Sequence, residues 1–304
     1  MATIRLGDAL NTAQTSEKTH PKLAARLAPL RAADPAAFAA ELLGLYRHVM
    51  TVNKVRRRRA PCAALSFFQR EPAVERLAKF VAAAATWHGA GAGEGDAAAV
   101  EACEALLRGA LPLCVAADKA VRFRAAQLVS HVLAALGEDD DLDDGLLDEV
   151  VDAMTARLRD KHPAARAAAA TALARLQDPG EAGDYSGCGV ASSLLEALDT
   201  DKHKDVRKAA LCSLALSSHT LPAVIARTRD TVEEVRRAAF GVVASKVKLG
   251  ELKVSWRATL LHRGLADRAP TVRAAAVTML GKWMEGARGC FPVACAPSLF
   301  PPVC

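Results

Sequence analysis

DKHKDVRKAALCSL, residues 201–214, reads as an acidic turn that runs into an amphipathic helix. Asp201 stands six residues before Arg207, and Val206, Ala210 and Leu214 lie one before, three after and seven after that arginine. Those offsets share one face of a helix, and the small alanine lets a neighbouring helix approach closely. DKHPAARAAAATAL (160–173), DTVEEVRRAAFGVV (230–243) and DRAPTVRAAAVTML (267–280) align with it without a gap. A fifth copy, DKAVRFRAAQLV (118–129), keeps Val121, Arg122, Ala125 and Val129, with its aspartate closer. The arginines step by 44, 41, 29 and 37 residues, and a repeat of about forty residues is the mark of a helical solenoid.

Working outward, an amphipathic segment precedes each of the last four copies, at 144–158, 189–198, 220–227 and 251–265. Pro163 and Pro270 fall in the first turn of their helices, where a missing N–H costs no hydrogen bond. Each unit is therefore helix, short turn, helix. Two looser units come first, 35–50 with 71–86 and 96–109 with 118–136. The expectation is an all-α chain, a HEAT-repeat α-solenoid of about six helix-turn-helix units over 35–286, forming one elongated domain. A helical lead-in covers 1–34, glycine-rich or acidic loops cover 88–96, 137–145 and 178–189, and a Cys- and Pro-rich tail follows from 287. The pattern resembles HEAT repeats, in which the turn aspartate and second-helix arginine form a ladder between units. That assigns Asp160, Arg166, Asp201, Arg207, Asp230, Arg236, Asp267 and Arg273 to structure.

Composition agrees with helix. Apolar residues make up 51% of the 304, but isoleucine occurs only at 4 and 225 and aromatics are 4%. The first residues carry no basic-then-apolar leader, and no long uncharged apolar run would span a membrane. The eight cysteines are scattered without a CxxC, which reads as reduced thiols. Chemistry is absent: there is no GxxxxGK[ST], GxSxG, HExxH or His-Glu dipeptide, and the GAGAGEG stretch lacks the spacing of a dinucleotide loop. The acidic run 138–144 lacks the EF-hand spacing. No active site, cofactor, metal or small-molecule substrate is expected.

Charge points elsewhere. Between 201 and 282, Lys and Arg number 16 against 7 Asp and Glu. Basic residues gather at the turns that open second helices, and stacked turns would align them into a stripe suited to a phosphate backbone. Lys161, Lys202, Lys204, Lys208, Arg229 and Arg237, off the ladder pattern, are the better phosphate candidates. Few aromatics are present to stack bases, so readout would be electrostatic and sequence-tolerant.

Particular phrases go further than periodicity. YRHVMTVNK (46–54), REPAVERLAKFV (70–81), KAVRFRAAQLVSHVL (119–133), MTARLRDKHPAARAAAATALARLQDP (154–179) and DVRKAALCSLALSSHTLPAVIARTRDTVEEVRRAAF (205–240) occur in this order. Together they resemble the amino-terminal part of the condensin complex subunit 3 family, also called chromosome-associated protein G, over about 41–286. The resemblance implies a non-catalytic subunit of the nucleus and chromosome. It would bind the kleisin subunit and grip double-stranded DNA in a positive groove, with ATP hydrolysis left to the SMC partner subunits. Matching basic positions are Lys54, Arg70, Arg122, Arg124, Lys161, Lys202, Lys204, Lys208, Arg229 and Arg237. The alternative is a protein-binding scaffold or transport adaptor without DNA.

Two departures stand out. Family members are much longer, so the array is expected to be truncated and poorly soluble alone. The family also runs directly from the phrase ending at Lys54 to that beginning at Arg70, whereas here residues 55–69, VRRRRAPCAALSFFQ, intervene. Valine codons begin GT and one glutamine codon is CAG, so these fifteen codons read as a retained in-frame intron, and 287–304 as read-through. A basic loop of this lineage is the other reading. Persistence of the fifteen codons in the main spliced message would exclude the intron.

Overall fold

A computed structural model describes residues 4–51, 71–87, 96–137, 140–180 and 185–288. The 55–69 segment, its flanks Lys54 and Arg70, and the tail beyond 288 lie outside the described residues. All regular structure among the described residues is helical: fourteen α-helices and short 3-10 turns. The chain groups into two compact units, Met1–Asp178 with Cys188–Ser193, and Pro179–Gly187 with Leu194–Cys304.

The first unit opens with α1 (Leu6–Ala13) and α2 (His20–Ala33). Helical hairpins follow: α3 (Pro35–Met50) with α4 (Glu71–Ala85), α5 (Ala97–Ala110) with α6 (Lys119–Ala135), and α7 (Asp144–Leu158) with α8 (Pro163–Ala172). Helix α2 packs on α4, α4 on α6 and α6 on α8, while α3 packs on α5. Alternate helices thus stack side by side into two layers, the repeat logic that the spacing predicts.

The second unit holds most of α9 (Gly189–Thr200), then α10 (Lys204–Ser213), α11 (Leu221–Ala226), α12 (Glu233–Lys246), α13 (Val254–Leu265) and α14 (Pro270–Arg288). Here α10 packs on α12 and α12 on α14, with α13 folded back against α14.

Local sequence sets these boundaries. Asp34, Asp118 and Asp143 accept N–H bonds from Ala37 (2.8 Å), Ala120 (2.7 Å) and Leu146 (3.0 Å), satisfying donors that helix starts leave open. The alanine three residues past each pattern arginine, at 125, 169, 210, 239 and 276, is fully buried. Their small size suits the close packing of the second helices. The same closeness explains Gly264 on α13: a Cβ there would fall on Ala276 Cβ and within 2.8 Å of the Phe240 ring. Phe240 is itself fully buried, a burial that contributes roughly 1.5–3 kcal/mol.

Arg31 is a buried tie that periodicity does not reveal. At 2% exposure, it donates to the α4 carbonyls of Ala84 (3.4 Å) and Ala85 (3.1 Å) and to Asp96 Oδ2 (2.5 Å). It therefore fixes the end of α4 to the start of α5.

Candidate nucleic-acid interface

The repeated turn is built from one aspartate and two arginines. Asp230 lies between the end of a 3-10 turn and α12, and its Oδ1 accepts the Val232 N–H at 2.8 Å. Arg236, six residues on, folds back to donate Nη1–H to the Asp230 and Thr231 carbonyls at 3.0 and 3.4 Å. Arg207 of the preceding repeat grips the Asp230 carboxylate with both prongs, Nε–Oδ2 at 2.8 Å and Nη2–Oδ1 at 2.7 Å. Arg236 repeats this on Asp267 at 2.7 and 2.9 Å, and Arg122 on Asp160 at 2.7 and 3.1 Å.

Carboxylates 160, 201, 230 and 267 each take the N–H two residues on, at 2.7–2.8 Å. Arg166 and Arg273 make the same backward bonds to the carbonyls of Asp160 and Asp267, both at 2.8 Å. Burial pushes the Asp230 carboxyl up, but the Arg207 fork, the Val232 N–H and nearby Arg227 outweigh it, so the group stays below the ordinary carboxylate range. Asp160 behaves alike under Arg122, and the Arg236 fork holds Asp267 low.

This geometry sorts the basic residues. Arg122 is consumed by the Asp160 carboxylate and by the carbonyls of Ala116 and Ala117, both at 2.9 Å. Arg124 is 3% exposed, lies 4.9 Å from the Phe123 ring centroid and donates to Gln127 Oε1 at 2.6 Å. A phosphate would have to displace protein partners to reach either guanidinium, so their matching positions do not make them surface contacts. Lys161, Lys202, Lys208, Arg229 and Arg237 are exposed. Lys204 is exposed too, but holds Glu234 at 2.6 Å, which keeps the lysine above and the glutamate below their ordinary ranges.

The exposed residues of the second unit do not form one stripe. Lys208, Arg237 and Lys282 line an open groove of about 370 Å3, with Glu234 at its side. Ala238, Gly241, Ala244, Ala275 and Thr278 complete its lining, so α10, α12 and α14 all contribute. Small residues in the lining leave the backbone close to whatever occupies the groove. Arg229 lines a separate cleft with His262, Arg263 and Arg268. Lys282 was not apparent from the turn pattern. Its signal is helical spacing, seven residues past Ala275 and four past Thr278.

A second set of cations also escaped the turn pattern. Arg175 donates to the carbonyls of Leu133 (2.8 Å), Leu136 (2.5 Å) and Gly137 (3.0 Å), closing the end of α6. Lys246 does the same for α10 through the carbonyls of Cys212 (3.1 Å) and Leu214 (3.3 Å). These charges sit against the negative end of a helix dipole and are structural. No cluster of ligating side chains fit for a metal occurs among the described residues, and no helix among them is long and apolar enough to cross a membrane.

Comparison with known proteins follows the same lines. Residues 119–176 match the HEAT-like repeat family. Condensin complex subunit 3 of Xenopus laevis is 34% identical over 276 residues, which is 89% of this chain and 25% of that protein. The Homo sapiens protein of the same name is 34% identical over 225 residues, 73% of this chain and 22% of its own length. The solved Schizosaccharomyces pombe condensin Cnd3-Cnd2 subcomplex contains a chain that superposes with a TM-score of 0.74 at 26% identity, covering 93% of this chain and 33% of that one. This chain therefore spans about a quarter of the length of the curated relatives named here. Fold, repeat and sequence agree: over the part that it spans, the chain belongs to the condensin complex subunit 3 family.

Proposed function

We propose that the chain is a non-catalytic HEAT-repeat portion of a condensin subunit that binds the kleisin subunit and, with it, double-stranded DNA. It would act at the chromosome in the nucleus, with ATP hydrolysis supplied by the SMC subunits. The observation that carries the DNA reading is the groove of the second unit. The aspartates at the turns beside it, Asp230 and Asp267, are held by Arg207 and Arg236. Lys208, Arg237 and Lys282 therefore face the groove against Glu234 alone. Lys202, Lys204 and Lys161, exposed at turns, are further candidates, with Lys204 drawn from Glu234 when a phosphate competes. The groove lining holds no aromatic side chain, which favours a duplex backbone over stacked single-stranded bases. Kleisin binding is supported by the fold shared with a chain solved in a two-subunit condensin subcomplex.

The test is duplex binding by the chain with a kleisin fragment bound, titrated against salt. Three phosphate contacts give a slope of about −2.7 in log K against log salt, an affinity loss of about 40-fold from 50 to 200 mM. A flat salt dependence, or no duplex binding with kleisin in place, would leave a protein-binding scaffold as the reading.

A further inference from the structure

The cleft that takes Arg229 out of the groove has a charge problem of its own. It is an open concavity of about 640 Å3 between the turn at 228–231 and the end of α13, wholly within the second unit. Arg229, Arg263 and Arg268 line it, with His262 beside them. The carboxylates in its wall are spoken for: Asp230 by the Arg207 fork and Asp267 by the Arg236 fork. Counting those two ladder pairs as neutral, three guanidinium charges remain, and none of the three makes an ion pair among the described residues.

Arg263 is the informative member. It is half-buried, and its Nη1 donates to the Ile225 carbonyl (3.3 Å) and to Thr228 Oγ1 (3.2 Å), which fixes the guanidinium at the wall. Burial, and then the charge of Arg229, pull its pKa below the ordinary arginine value. An arginine held partly out of water beside a second arginine lacks a counter-charge. The structure favours a compact anion as the missing partner, because guanidiniums lining one cleft offer forked donors to several oxygens of one group.

We propose that this cleft binds the phosphate monoester of a phosphorylated serine or threonine on a protein partner. A monoester carries close to two negative charges at neutral pH and three terminal oxygens, matching the three arginines that line this one cleft. A duplex strand instead offers singly charged diesters spaced along a line, which suits the groove whose cations come from three different helices. The two basic sites of the second unit thus differ in their lining and in the anion that each fits.

The experiment uses the full chain and two immobilised degenerate peptide libraries, one with a fixed phosphothreonine and one with threonine at that position. The chain is expected to be retained at least tenfold better on the phosphothreonine library, and inorganic phosphate at millimolar concentration should release it. R229E/R268E, at two exposed positions, should lose that preference at an unchanged melting temperature, whereas K208E/R237E should keep it. R268E alone should leave duplex affinity within twofold. Equal retention on both libraries would overturn the proposal, as would equal loss in the two double variants. Release of the phosphothreonine library by duplex DNA at the salt dependence of duplex binding would assign the cleft to the DNA path instead.

Discussion

Replacing Asp230 with alanine tests the ladder most sharply. The carboxylate is almost fully buried, with a side-chain exposure of 2% against 10% for Arg207, so solvent screens the pair little. The substitution leaves the Arg207 fork facing a void while its Nη1 stays held by the carbonyls of Asp201 (3.0 Å) and Lys202 (3.2 Å). Stranding one member of a buried pair costs about 3–5 kcal/mol. Loss of the acceptor for the Val232 N–H adds about 1 kcal/mol, as at a helix cap. The R207M/D230A double variant removes both charges and should lose less than the sum of the single variants, with a coupling of about 1–3 kcal/mol. Urea unfolding followed by circular dichroism measures all three. A D230A loss under 1 kcal/mol, or strict additivity, would show that the rung is a consequence of helix stacking and not one of its causes. The exposed Lys204–Glu234 pair is the internal control: K204A should leave the unfolding midpoint nearly unchanged.

Other outcomes follow from the same contacts. Asp160, Asp230 and Asp267 have carboxyls lowered on folding, so their contribution is present above the unfolded value of about 4 and is lost as pH falls through the folded values. Melting temperature should therefore drop steeply below about pH 4, and less steeply in D230N. Gly264→Ala should destabilise by about 1–3 kcal/mol, because its methyl meets Ala276 and Phe240; an unchanged melting curve would refute the close approach of α13. K246A should release the Cys212 and Leu214 carbonyls and speed amide exchange at the end of α10 without unfolding the rest. K208E/R237E/K282E should flatten the salt dependence of duplex binding by close to three counterions' worth while leaving kleisin binding intact.

The repeat was legible because two short intervals recur, aspartate to arginine and arginine to alanine, and each meets a physical demand. The arginine must reach back over one helical turn to the carbonyls, and the alanine must let a neighbour in. What escaped the pattern depends on contacts between distant residues. Nothing near Arg124 tells that it is 3% exposed, since the side chains enclosing it belong to the fold. Lys204 looks like a lone turn lysine until Glu234, thirty residues on, is brought to 2.6 Å. Arg175 and Lys246 close helix ends 32 to 42 residues earlier, which only stacking places within reach. Grouping all turn cations into one stripe also overlooked that Arg229 lines a different concavity from Lys208 and Arg237.

Each rung runs head to tail, joining the arginine of one repeat to the aspartate of the next, so the array has a polarity that its helices alone do not impose. Excising a whole repeat removes one arginine and one aspartate together: without residues 230–266, Arg207 would meet Asp267. Excising half a repeat would strand a buried charge. The six-residue interval from aspartate to arginine is kept in the last four copies, whereas the distance between successive arginines, anywhere from 29 to 44 residues, is not. Loops can therefore lengthen or shorten between rungs, and repeats can be gained or lost in whole modules, without disturbing the element that holds neighbours in register.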